Sequence, residues 1–146
     1  MDNAITSLMD LIIPALGALL SDLRTWLTVA VMLGPILLLV MGLLYFFLPP
    51  KEANHKFGYR TYFGMGSIQA WRFTQWVAGL VWGVLGIGLT VAMVIVCIVN
   101  GGSAVDAFSA VALICLLVQA GLVLAGWLGI EITVAICYDK DGRARK

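Results

Sequence analysis

The stretch that decides the fold is Trp26–Leu48, WLTVAVMLGPILLLVMGLLYFFL, and no charged residue occurs anywhere between Arg24 and Lys51. At 1.5 Å of rise per residue, a helix of this length crosses a hydrocarbon core of about 30 Å. Gly34-Pro35 lies inside the stretch and predicts a kink, because proline has no N–H to donate. A neighbouring helix can satisfy the carbonyl that proline leaves free. The sequence therefore predicts a first membrane span over residues 26–48.

Two further apolar stretches predict two more spans, over residues 73–99 and 107–138. Between them lies Asn100-Gly101-Gly102-Ser103, whose residues favour a turn. The whole chain is 62% hydrophobic and 12% charged, with a mean hydropathy of +1.01, whereas globular domains carry about 25% charged residues. We therefore expect an all-α integral membrane protein with three transmembrane helices and a loop at residues 49–72.

The basic residues predict the orientation of these helices. Of the nine lysines and arginines, only Arg24 precedes the first span. The other eight lie in the loop or after the third span: Lys51, Lys56, Arg60, Arg72, Lys140, Arg143, Arg145 and Lys146. Because basic residues near the ends of membrane spans stay in the cytoplasm, loop 49–72 and the C-terminus are predicted to be cytoplasmic. The N-terminus and the Asn100 turn are then outside.

Residues 1–23 form a segment of their own in this scheme, ahead of a membrane module at residues 24–146. Polar and apolar residues in this segment recur on opposite faces of a helix, which favours an amphipathic helix lying in the outer interface. The alternative is a short fourth membrane helix. Its apolar part is brief and contains Asp10 and Pro14, which makes the interfacial helix the better prediction.

Glycines, aromatic rings and polar residues recur at fixed spacing in the loop and at the start of the second span. The pattern reads Asn54-x-x-Phe57-Gly58-Tyr59-Arg60-Thr61, followed by Trp71 and Gln75. Glycines let a backbone turn tightly or pack closely, and the rings suit the depth of lipid headgroups. Arg60 can offer its guanidinium to a carboxylate or a phosphate.

This pattern resembles the signature of the SdpI family, which are bacterial membrane proteins. The archetype of the family confers immunity to a secreted toxin peptide and also takes part in signalling. The resemblance implies a short, single-module member in the bacterial inner membrane, which would give resistance by binding the toxin or protecting the membrane. It also implies a toxin peptide or a cytoplasmic regulator as a partner.

Glu131 is the only acid inside an apolar span, where an unpaired carboxylate is costly. We expect it to form an ion pair with Arg60 or Arg72 across the helix boundary. The alternative to the immunity function is that the protein is a small oligomeric transporter, which uses Glu131 to couple proton binding to substrate movement.

Other classes of function lack support in the sequence. Cys97, Cys115 and Cys137 lie in apolar runs without CxxC spacing, so neither a disulfide framework nor a metal site is predicted. Neither a catalytic triad nor a phosphate-binding loop occurs, and we expect no enzyme activity, no cofactor and no nucleic-acid partner. Membrane lipids are the expected partners. A Gly79-x-x-x-Gly83 step favours packing within the chain over a homo-oligomer.

Overall fold

The computed structural model describes residues 2–53 and 57–145. Its three α-helices are α1 (Asp2–Phe47), α2 (Ile68–Val99) and α3 (Val105–Cys137). The segments long and apolar enough to cross a membrane are Ile12–Phe47, Ile68–Val99 and Val105–Cys137. The predicted all-α fold with three spans is therefore confirmed.

The helix ends differ from the predicted spans by more than two residues at two places. α2 begins at Ile68, because Ser67 is extended and its side chain accepts a hydrogen bond from the Ala70 N–H. Trp71 and Arg72, which the sequence placed in the loop, therefore lie in the first turns of α2. α1 is one continuous helix through Arg24, so no break separates residues 2–23 from the first span. The side chains of residues 2–11 and 19–21, on which the predicted amphipathic face depends, lie outside the described part.

The three helices run up, down and up, so the structure has two ends of different character. We call the end with loop 48–67 and tail 138–145 the basic end, and the end with residues 100–104 the turn end. α1 packs mainly against α2, and α3 packs against both. One buried cluster lies towards the basic end around Tyr45, Trp82 and Ile130, and another lies towards the turn end around Val31 and Met93.

Small residues allow α1 and α2 to approach closely. A Cβ at Gly79 would lie 2.7 Å from the Phe46 backbone nitrogen, and a Cβ at Gly42 would overlap the backbone of Gly83. A Cβ at Gly86 would likewise overlap the backbone of Leu39. The glycine step therefore packs within the chain, as predicted. At Gly83 itself a Cβ would meet nothing within 4 Å, because its Cα hydrogens point into an open groove.

Gln119 satisfies the backbone carbonyl that Pro35 leaves free in α1. The carbonyl of Val31 would normally accept from the N–H of residue 35, and proline has none. Instead the buried Gln119 side chain on α3 donates its Nε2–H to the Val31 oxygen at 3.0 Å. The sequence predicted that a neighbouring helix would supply this bond, but it did not identify the donor. α1 and α3 are therefore joined by a hydrogen bond in the middle of the bundle.

Replacing Gln119 by leucine is expected to lower the free energy of unfolding by roughly 1 kcal/mol and at most about 3 kcal/mol, since it leaves the Val31 carbonyl without a donor. The same change in a Pro35→Ala background should cost less, because the alanine that replaces Pro35 has an N–H that can donate to the Val31 carbonyl. Unfolding in mixed detergent micelles measures both values. Gln69→Leu, at an exposed position of α2, is the control. Additive effects of the two changes would contradict the pairing.

Arg24 on α1 forms hydrogen bonds with the backbone of the turn end. Its guanidinium donates to the Ser103 carbonyl at 2.7 Å and to the Asn100 carbonyl. The same group lies 4.9 Å from the centre of the Phe108 ring, a cation–π distance. The Asn100 carbonyl also accepts from the Ser103 N–H and hydroxyl, so the charged donor from α1 adds a third bond to a turn that is already closed.

Candidate functional site

Trp71 forms the centre of the site at the basic end. Its side chain is 0% exposed, and its Nε1–H donates to the Pro50 carbonyl at 3.0 Å. Trp71 lies in the first turns of α2, whereas Pro50 follows the end of α1. The indole therefore joins the two helix ends that the loop connects, with its polar edge satisfied and its ring buried.

Gly58 packs directly on the Trp71 ring. Its φ is +114°, a value that side chains with a Cβ rarely adopt. A Cβ at this position would lie 2.6 Å from Trp71 Cζ2 and 3.2 Å from Gln75 Oε1. Both the backbone angle and the space therefore require glycine here.

The Gln75 side chain forms hydrogen bonds with both backbone polar groups of Tyr59, the residue after Gly58. The Gln75 Oε1 accepts from the Tyr59 N–H at 2.8 Å, and its Nε2–H donates to the Tyr59 carbonyl at 2.6 Å. Gln75 is fully buried, so the two bonds satisfy an amide that would otherwise be costly to bury. The loop backbone is fixed against α2 at this point.

Thr61 completes what we call the motif cluster: Gly58, Tyr59, Thr61, Trp71 and Gln75. The buried Thr61 Oγ1 accepts from the Gly64 N–H at 2.8 Å and closes a local turn. A Cβ at Gly64 would overlap the hydroxyls of Thr61 and Thr74. The structure thus brings together five of the eight residues in the sequence pattern.

The C-terminal tail packs against the start of α2. Asp139 Oδ1 accepts from the N–H groups of Asp141 and Arg143 at 3.0 and 2.8 Å, which closes a tight turn. The Ser67 hydroxyl donates to the Gly142 carbonyl at 2.7 Å. The tail is thus part of the folded basic end, and Ser67 is used twice, as helix cap and as tail anchor.

A small aromatic cavity of about 230 Å³ lies beside the motif cluster and is lined by Tyr45, Tyr59 and Trp82, together with Leu38 and Met41. The Tyr59 ring lies 6.0 Å from that of Tyr45 and 6.2 Å from that of Trp82. Its hydroxyl is buried and has no hydrogen-bond partner among the described residues. Burial, then the nearby Glu131 and Tyr45, raise the pKa of Tyr59 to about 12. The phenol therefore stays neutral at physiological pH and keeps a proton to donate.

Glu131 differs from the prediction. In the described part of the chain, neither Arg60 nor Arg72 forms an ion pair with it; its electrostatic neighbour is the Tyr59 phenol. Arg72 is exposed on the side of α2 that faces the end of α1. The structure therefore does not show the predicted pairing: Arg72 lines a cavity at the end of α1, and Arg60 lies near Tyr45.

Two of the remaining residues of the sequence pattern lie at the surface, and the third lies outside the part of the chain that the structure describes. Arg60 is exposed and lies within electrostatic reach of the Tyr45 hydroxyl. The Phe57 ring is 6.2 Å from the Tyr45 ring and is 44% exposed. Asn54 lies outside the described residues. The motif cluster therefore supports a surface that offers one guanidinium beside aromatic rings, an arrangement suited to binding a carboxylate or phosphate group.

Sequence reasoning missed Ser67, Thr74 and Pro50 as members of this site. Ser67 carried a readable signal, because a serine directly before an apolar helical run is a typical N-cap. Pro50 contributes only a backbone carbonyl, and no side-chain pattern marks such a role. Among the described residues, no group of three or more His, Cys, Asp or Glu side chains could hold a metal ion.

Three apolar helices that can cross a membrane, with a buried cluster at one end, are the architecture of a small multi-pass membrane protein. No protein-family model matches the chain, and neither a curated protein nor a solved structure matches it.

Proposed function

We propose that the protein is a membrane-embedded immunity or signalling protein of the SdpI type, giving resistance to a secreted toxin peptide by binding it or protecting the membrane. The observation that carries the proposal is the motif cluster, in which Gln75 fixes Tyr59 before Arg60, and Thr61 after Arg60 is buried and closes a turn with Gly64. A loop that only supplied positive charge would need none of these buried contacts. The proposal includes no chemical reaction.

We further propose that the basic end is cytoplasmic and that the membrane is the bacterial inner membrane. In the sequence, eight of the nine basic residues lie in segment 49–72 or after residue 138, which supports this orientation. A phosphatase reporter fused within the turn near Gly102 should be active, and the same reporter fused after Lys146 should be inactive. The reverse pattern would overturn the orientation.

Arg60→Ala is expected to abolish protection of cells against the toxin while membrane levels of the protein stay unchanged. The side chain is exposed, so its loss removes a binding group without opening the buried cluster. Survival of a sensitive strain expressing each variant measures the effect. Arg60→Lys separates guanidinium recognition from charge alone.

Arg143→Ala is the matched control, because it removes one exposed positive charge from the same end. It should leave protection unchanged. Equal losses for Arg60→Ala and Arg143→Ala would contradict a specific role for the motif arginine and indicate a general effect of charge.

A second candidate function is a small oligomeric proton-coupled transporter. Glu131 supports it, because the carboxyl has no arginine partner among the described residues and acts on Tyr59, which lines the aromatic cavity. The same survival assay separates the candidates. Loss of resistance in Glu131→Gln, with full resistance in Arg60→Ala, would favour the transporter.

A further inference from the structure

In the described part of the basic end, a cavity of about 430 Å³ lies between the ends of α1 and α2. Its lining includes two cations, Lys51 and Arg72, and no acid. Trp76 forms another part of the wall and is 51% exposed. The Trp71–Pro50 hydrogen bond fixes the proline that lies beside Lys51. Two cationic side chains thus line one cavity, at the depth where headgroups lie if the helices cross a membrane.

An apolar groove lies next to this cavity along the contact between α1 and α2. The groove has a volume of about 270 Å³ and is lined by Leu80, Val84 and Ile87 on α2 and by Leu43 and Phe47 on α1. Gly42, Gly79 and Gly83 also line it. A Cβ at Gly83 would meet nothing within 4 Å, so no side chain fills the groove at this position. Phe46 lines both spaces, so the cationic cavity and the apolar groove are adjacent.

The α2 residues that line the cavity and the groove lie on one face of the helix. Arg72, Trp76, Leu80 and Val84 follow at four-residue intervals, and such residues lie above one another on a helix. The face is cationic at the basic end, aromatic one turn deeper and aliphatic below that. This order matches the order of chemical groups in a phospholipid from headgroup to acyl chain.

We propose that this cavity and groove bind an anionic phospholipid. Its phosphate would lie between Lys51 and Arg72, and one acyl chain would follow the groove over Gly83. Arginine recognises phosphate oxygens by paired hydrogen bonds, and basic pockets between membrane helices bind anionic headgroups. Free phosphate could satisfy the two cations, but it would make no use of the groove.

Native mass spectrometry of the full chain purified in detergent tests the proposal, with phosphatidylglycerol and phosphatidylcholine as probes. The wild-type protein should retain phosphatidylglycerol and release phosphatidylcholine. Lys51→Gln combined with Arg72→Gln should weaken phosphatidylglycerol binding by about 30-fold, which is the effect of removing two surface cations. The double change Lys140→Gln and Arg143→Gln removes equal charge from the same end outside the cavity, and should leave binding unchanged.

Gly83→Leu tests the groove separately from the charges. A Cβ at Gly83 meets nothing within 4 Å, so the new side chain can fill the groove without moving the helices. It should weaken phosphatidylglycerol binding while both cations remain. Equal retention of the two lipids by the wild type, or unchanged binding in the Lys51/Arg72 variant, would overturn the proposal. Displacement of the lipid by inorganic phosphate, with unchanged binding in Gly83→Leu, would assign the cations to free phosphate instead.

Discussion

Replacing Trp71 by alanine is expected to lower the free energy of unfolding by about 3–5 kcal/mol, the range for removing a large aromatic ring from a packed interior. The loss has two sources. The fully buried ring leaves a cavity under Gly58, and the Pro50 carbonyl loses its donor. Unfolding in mixed detergent micelles, followed by circular dichroism, gives the free energy.

Trp26→Ala is the matched control, because Trp26 is 70% exposed on α1. Its replacement removes the same ring from a largely exposed position, and it should change the free energy of unfolding by less than about 1 kcal/mol. Trp71→Phe should fall between the two, since it keeps much of the ring and loses the indole N–H. If Trp71→Ala were as mild as Trp26→Ala, Trp71 would not be the centre of the basic end.

Gly58→Ala is expected to cost roughly 2–4 kcal/mol, because it adds backbone strain to overpacking. The strain arises at φ +114°, and the overpacking arises because the new methyl group would press on the Trp71 ring. The same unfolding measurement applies. A second measurement, protease cleavage of the loop, should become faster as the loop detaches from α2.

Gly88→Ala controls for the general effect of adding a methyl group to glycine. Gly88 lies inside α2, and a Cβ there meets nothing within 4 Å. Alanine is the better helix former, so this variant should be as stable as the wild type or slightly more stable. The double variant Gly58→Ala with Trp71→Ala should cost less than the sum of the single changes, since the ring that the methyl group strikes is gone.

The number of apolar helices and most of their ends could be predicted from sequence because hydropathy is a local property. The same measure misplaced the start of α2, since Ile68–Arg72 is helical without being uniformly apolar. Hydropathy locates the segment that lipid can accept, whereas a helix begins where a residue such as Ser67 can cap it. The two boundaries coincide only when the cap lies at the edge of the apolar stretch.

The sequence could not predict which side chains of different helices contact one another. Pro35 predicted that a carbonyl of α1 would lack its usual donor. That Gln119 supplies the donor depends on how α3 is rotated and shifted against α1. The ion pair predicted for Glu131 is absent from the described part of the chain for the same reason. The prediction used only the position of Glu131 along α3, whereas the rotation of α3 places Glu131 near Tyr59. The contacts of the motif cluster also depend on packing, although the sequence pattern had already grouped its members.

The Arg24 clamp at the turn end has a consequence for biogenesis. Arg24 is synthesised before α2 and α3, and its two carbonyl acceptors follow it by 76 and 79 residues. Until the second hairpin has inserted, the guanidinium can be satisfied only by water and headgroups. Closing a contact over so long a separation follows the formation of the individual helices. The two hydrogen bonds of the clamp therefore form only after α2 and the turn have been made. The contact with the Phe108 ring also requires the first turn of α3, so the complete clamp marks a late stage of assembly in the membrane.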